Sequence, residues 1–224
     1  MYITAEAILE LEQRFGQPAE IALAYEMSEP EFEMVRGSQK HGRAHDVTLF
    51  IIDRSRIVVI RKPMYPPGAY RPPSGGITPG EPFVEGALRE AHEETGLVIS
   101  LEKYILRALV KFSHRDRVID WTSHVFAAIP IGGTLEPIDT HEIAEARSVD
   151  VDELMGSIRT ALLSSGSTGL RYRSDLTDAV MRTLAEEGSF ALSWTSKREG
   201  TTGSAGNTGK DLKEKPTREF KKKL

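Results

Sequence analysis

Apolar residues along this chain change their period twice, and the changes divide it into helical ends and a strand-rich middle. In residues 5–15, Ile8, Leu9, Leu11 and Phe15 recur near helical spacing, and residues 30–36 suit a second short helix. The period then drops to that of strands. Residues 45–52 and 57–60 are runs rich in β-branched residues, separated by Asp53-Arg54-Ser55-Arg56, which predicts a hairpin. Residues 104–112 and 118–129 flank the polar stretch His114-Arg115-Asp116-Arg117 and predict a second hairpin. Helical patterns return in residues 151–163 and 174–187, where Leu176, Ala179, Val180 and Leu184 share a face. The expected fold is α/β, a mixed but mainly antiparallel sheet with helices packed against it.

Between the hairpins lies GGITPGEPFVEGALREAHEETGL, Gly75 to Leu97. Its second half reads as a helix, with Pro82 suited to the first turn and Gly96 to the left-handed position after the last. Val84, Ala87, Leu88 and Ala91 form one apolar stripe at i, i+3, i+4 and i+7. Glu90, Glu93 and Glu94, at i, i+3 and i+4, project together from a neighbouring face. Like charges at this spacing repel by a few tenths of a kcal/mol per pair even when exposed, and by more when desolvated. Taken alone, such a triplet is most simply a solvated acidic face. A hard divalent cation such as Mg²⁺ or Mn²⁺, which takes oxygen ligands, would remove the conflict.

Composition narrows the chemistry. With 39% hydrophobic and 28% charged residues in 224, the chain suits an ordinary globular protein. No apolar run approaches the roughly 20 residues of a transmembrane helix, and the acidic, amphipathic N-terminus does not read as a secretory signal. A cytoplasmic protein with no membrane partner is the expectation. The absence of cysteine excludes thiolate nucleophiles and cysteine-ligated zinc, so any metal must sit on oxygen or imidazole. The net charge of −4 hides an asymmetry: from Lys197 onward there are nine Lys and Arg against four Asp and Glu. That segment, poor in apolar residues, reads as a disordered basic tail without the interleaved aromatics of a nucleic-acid arm, so no nucleic-acid partner is expected.

The surroundings of the three glutamates decide between an acidic face and a site. Gly75, five residues, Glu81, seven residues, Arg89-Glu90, two residues, Glu93-Glu94, one residue, Gly96 and a closing Leu97 reproduce the Nudix box. At ordinary residue frequencies such a match arises on the order of once in 10⁶ chains of this length. The chain therefore resembles a Nudix hydrolase, with Ala91 standing where the family pattern prefers a larger aliphatic residue. The resemblance implies an α/β/α sandwich, with residues 1–40 a helical extension, 41–194 the hydrolase domain including C-terminal helices, and 195–224 the tail. It implies Mg²⁺ or Mn²⁺ held by Glu90, Glu93 and Glu94, with Arg89 and Glu81 as an ion pair fixing loop to helix. Gly75, Gly76 and Gly96 provide backbone support. It implies hydrolysis of a phosphoanhydride bond in a nucleoside diphosphate linked to another moiety, a small-molecule nucleotide as partner, and is compatible with a homodimer. The alternative is a nucleotide sensor of the same fold that does not turn over, whose expected signature is a damaged box. The related isopentenyl diphosphate isomerase uses a cysteine, which this chain lacks.

Hydrolysis also requires a base and cations from outside the box. Glu93, Glu94 and Glu142, the last in IDTHEIAEAR, are the candidate bases, with His141 as a further one. Arg61, Lys62 and Arg71 are candidates to bind phosphate, and Tyr65 and Tyr70 to stack on a base. Trp121 and His124 are expected to belong to the sheet.

Overall fold

A computed structural model describes residues 3–39, 42–78 and 80–188; the tail expected at 195–224 lies outside them. Helix α1 (Ala5–Phe15) is followed by β1 (Ala19–Glu26), α2 (Glu29–Ser38), β2 (His45–Asp53), β3 (Arg56–Arg61) and β4 (Ser74–Gly76). Then come α3 (Phe83–Thr95), β5 (Leu97–His114), β6 (Arg117–Gly133) and β7 (Glu145–Val149). The chain ends in α4 (Val151–Glu153), a π-helical turn (Leu154–Ile158), α5 (Arg159–Ser164) and α6 (Thr168–Glu186). The seven strands form one sheet in the order β1-β5-β6-β2-β3-β7, with β4 pairing β2. β1 with β5 and β2 with β6 are parallel, and the other four pairings are antiparallel. No described helix is long and apolar enough to cross a membrane.

Alternation along β2 creates the two faces. Val47, Leu49 and Ile51 pack with Leu11 and Phe15 of α1 and Phe83, Ala87 and Ala91 of α3. Phe50 faces the opposite core, where Leu170, Leu176, Val180 and Leu184 of α6, Leu162 of α5 and Phe32 of α2 converge. Helices thus cover both faces, the expected α/β/α arrangement. Ala91 is fully buried; a small residue suffices there.

Three strands depart from the sequence reading. Residues 1–40, expected to be a helical extension, include β1, which pairs with β5 over eight positions. Its AEIALAYE sequence has little intrinsic strand preference, so the strand exists because β5 offers an edge. Strands β5 and β6 are 18 and 17 residues long, far beyond the predicted segments. Register shifts between Val98 and Leu106 interrupt the alternation that reveals a strand.

Candidate active site

Strand β4 pairs with β2, setting Thr48 opposite Ser74, Val47 opposite Gly75 and Asp46 opposite Gly76. This brings the glycine pair against α3. A Cβ on Gly75 would stand 1.8 Å from Glu90 Oε2, so the missing side chain is the space that the Glu90 carboxylate fills. Gly96 closes α3 in the left-handed conformation, φ 72°. Arg89 is the hub on the solvent side. Its Nε and Nη2 donate to Glu81 Oε1 and Oε2 at 2.8 and 3.0 Å, and Nη2 also donates to the Gly76 carbonyl at 3.1 Å. Its Nη1 donates to both Glu90 Oε1 at 3.0 Å and Glu93 Oε2 at 2.8 Å. One cationic nitrogen therefore lies between two of the three box carboxylates.

Glu94 turns inward. It accepts from the Ser74 amide at 2.7 Å and from Arg71 Nη2 at 3.3 Å, and both side chains are buried. Arg71, a candidate to bind phosphate, lies in the interior beside Glu94. Only 2% exposed, it spends its donors on Glu94, the Pro72 carbonyl, Ser74 Oγ and the Tyr65 hydroxyl. Lys62 Nζ donates to Glu142 at 2.9 Å, so a candidate cation and the candidate outside base meet. The loop carrying Glu142 is anchored on α3, because Ile138 and Asp139 donate their amides to the Glu93 carbonyl. Arg61 instead faces Glu145 at 3.6 Å, and Tyr70 donates its hydroxyl to the same Glu145 at 2.6 Å. His141 is exposed, its amide donating to Asp139.

Electrostatics mark this cluster. Burial pushes the Glu90 carboxyl up to about 7, with Glu94 and Glu93 adding repulsion that Arg89 only partly offsets. Burial also raises Glu94, against the pull of Arg71 and Lys62. Among the described residues no three acidic or histidine side chains already converge as a cage. The donor set still fits a hard cation: all three groups are carboxylates, two already share one positive partner, and a further positive charge relieves the Glu90 conflict.

The family model of the NUDIX domain matches residues 42–165, more than half of the chain. The chain belongs to the Nudix family. Among solved structures it is similar to a UDP-X diphosphatase, with 19% identity over 70% of this chain and 72% of that one and a TM-score of 0.48. A NUDIX hydrolase from Nitrosomonas europaea matches with 18% identity over 67% and 76%, TM-score 0.48. A MutT NUDIX hydrolase from Burkholderia pseudomallei matches with 23% identity over 56% and 98%, TM-score 0.40.

Around the Nudix box the structure gathers residues that the sequence reading did not single out. Arg173 of α6 reaches Asp46 Oδ2 at 3.2 Å and Thr48 Oγ1 at 3.4 Å. Asp46 also accepts from Ser123, which is bonded to Tyr172. Burial acts to raise the Tyr65 phenol, but Arg71, Arg173 and Lys62 outweigh it and its pKa is lowered. No local pattern links residues so far apart; only the alternation of β2, which puts polar Asp46 and Thr48 on one face, hints at them. Two concavities of about 380 and 400 Å³ lie elsewhere, between β1 and α6. Neither of these hollows is lined by Glu90, Glu93 or Glu94.

Proposed function

We propose that this Nudix hydrolase cleaves a phosphoanhydride bond in a nucleoside diphosphate linked to another group, by attack of water on phosphorus. The observation that carries this reading is the convergence of Glu90 and Glu93 on one cationic nitrogen, with the Glu90 carboxylate lodged against Gly75. Glu90, Glu93 and Glu94 would hold Mg²⁺ or Mn²⁺, which when bound supplies charge neutralisation for the phosphoryl oxygens and lowers the pKa of water. Glu94 is held by the Ser74 amide and Arg71, so its orientation is set before substrate arrives. Arg89 clamps Glu81 and the Gly76 carbonyl, fixing the glycine strand to the helix. Glu142 is the base outside the box, held near the site through Lys62 and able to take the proton of water once that cation turns to phosphate.

The test is release of nucleoside monophosphate or phosphate from nucleoside diphosphate sugars, dinucleotides, dinucleoside polyphosphates and nucleoside triphosphates, with Mg²⁺, Mn²⁺ or EDTA. We expect turnover of one class that EDTA abolishes. Glu93→Gln should lower it by orders of magnitude, while thermal stability without metal stays nearly equal, because the like-charge repulsion removed offsets the weakened Arg89–Glu93 ion pair. Tight nucleotide binding with no turnover would support a sensor instead, and an active Glu93→Gln would overturn the ligand set.

A further inference from the structure

Arg43 precedes β2 and lies well outside the Nudix box. Its guanidinium lies across the backbone of Gly76: a Cβ there would stand 2.0 Å from Nη1 and 2.2 Å from Cζ. The second glycine of the pair is thus the seat of this arginine, as the first is the seat of Glu90. Arg43 Nε is buried without a hydrogen-bond partner, and no hydrogen bond or ion pair joins Arg43 to another described residue. The neighbouring cations differ. Arg71 has Glu94, Arg89 has Glu81, Arg61 has Glu145, Lys62 has Glu142 and Arg173 has Asp46. A guanidinium remains charged and carries five donors, and burying its Nε with no partner carries a cost that an arriving acceptor offsets.

Position indicates which acceptor. Gly76 is the register partner of Asp46, so Arg43 and the Asp46 side chain lie on the same face of the β2–β4 pair. Arg173 is bonded to that same Asp46. The Asp46 carboxylate on this face is therefore already taken by Arg173, and no ion pair links Arg43 to a carboxylate among the described residues. Glu90 lies on the other side of β4, against the adjacent residue Gly75. Consecutive Cα atoms are about 3.8 Å apart, so carboxylate and guanidinium flank a strand only three residues long.

We propose that Arg43, supported by Arg173, binds a substrate phosphate next to the one attacked at the Glu90–Glu93–Glu94 site. This deepens the hydrolase reading and rests on it for the identity of the anion. Arginine suits the task through its planar, bidentate presentation to phosphate oxygens.

The experiment is calorimetric titration of inorganic pyrophosphate, with Mg²⁺, into wild type, Arg43→Met, Arg43→Lys and, as a control on the exposed side of α6, Arg182→Met. Steady-state kinetics on whichever anhydride the wild type cleaves accompanies it. Arg43→Met removes a charge-assisted hydrogen-bond donor, so it should weaken pyrophosphate binding about tenfold or more and raise KM by a similar factor with kcat little changed. Arg43→Lys should fall between, and Arg182→Met should match wild type. Should Arg43→Met fail to fold, Arg43→Lys still carries the test, since affinity equal to wild type contradicts a bidentate contact. Pyrophosphate affinity indifferent to Arg43, or no binding by wild type, would overturn the proposal. Turnover insensitive to Arg43→Met would do so while sparing the hydrolase reading. Pyrophosphate binding that depends on Arg43 in a chain that cleaves no anhydride would keep the anion site and sink the hydrolase.

Discussion

Gly75 and Glu90 make the closest approach in the site, and the consequence of filling it can be worked out from the groups involved. The atoms that a Cβ would strike belong to the tip of a flexible glutamate rather than to backbone. Gly75→Ala should therefore fold with nearly unchanged melting temperature, while the displaced carboxylate costs activity about 10²-fold, the order expected when a catalytic group moves by an ångström. Circular dichroism melting beside kcat/KM separates the two; a large loss of stability would show that the contact serves packing. Arg71 and Glu94 pose the opposite case. Their side chains are 3% and 6% exposed, so Arg71→Met leaves a carboxylate buried without its cation and should cost about 3–5 kcal/mol in urea unfolding. Adding Glu94→Gln should restore part of that stability without restoring activity. A double variant no more stable than the single one would contradict the pairing. These roles were only half legible in the sequence. The spacing of Glu90, Glu93 and Glu94 announces carboxylates on one helix, whereas the inward turn of Glu94 depends on Ser74 and Arg71, which lie some twenty residues back along the chain and share no periodic pattern with it.

At the scale of elements, α3 was readable because its apolar stripe, its closing glycine and its charges all agree on one helix. Arg43 and Arg173 were not, because each is placed by an element far away in sequence and no periodicity carries that information. Strand β6 shows what such an element adds. His124 is fully buried, with its ring nitrogens bonded to the Tyr104 hydroxyl and, at 3.0 Å, to His45, which stacks on it at 5.3 Å. Phe83, the first residue of α3, meets the same ring edge-on at 5.2 Å. Burial, with repulsion from His45 and Arg107, holds His124 down at about 3, against 6.5 ordinarily. The folded state thus binds fewer protons than the unfolded one between these values. Stability from this group is complete above about 6.5, declines as pH falls, and is exhausted near 3. The loss is of order a few kcal/mol. His124→Gln should flatten stability against pH across this window at some cost in absolute stability at about pH 8, measured by urea unfolding at each pH. An unchanged acid slope would assign the sensitivity to other groups.

For the whole molecule, the question is where the folding unit begins, since the NUDIX match starts at residue 42 and the sequence reading placed a helical extension before residue 41. The structure ties that N-terminal segment into both layers. β1 covers the edge of β5 over eight positions. Leu11 and Phe15 of α1 belong to the core that includes Tyr104 and Phe126, and Phe15 meets Phe126 edge-on at 5.6 Å. Arg107 of β5 is held by Glu12 of α1 and Glu20 of β1, each at 2.7 Å. Removing residues 1–38 therefore exposes a long strand edge and buried aromatic surface while leaving Glu90, Glu93, Glu94 and their partners in the chain. The eight positions of β5 so uncovered are a template for pairing with other chains. We expect the truncated protein to melt at least about 10 °C lower, since a shift of one kcal/mol moves the midpoint of a domain this size by about 2–4 °C and several are lost. It should also bind a hydrophobic dye and self-associate on sizing columns, with whatever monomer survives retaining metal-dependent turnover. A truncated protein as stable and monomeric as the full chain would make the first 38 residues an appendage. If it fails as expected, residues 1–38 belong to the sheet that carries the site, and the effective hydrolase domain begins with α1.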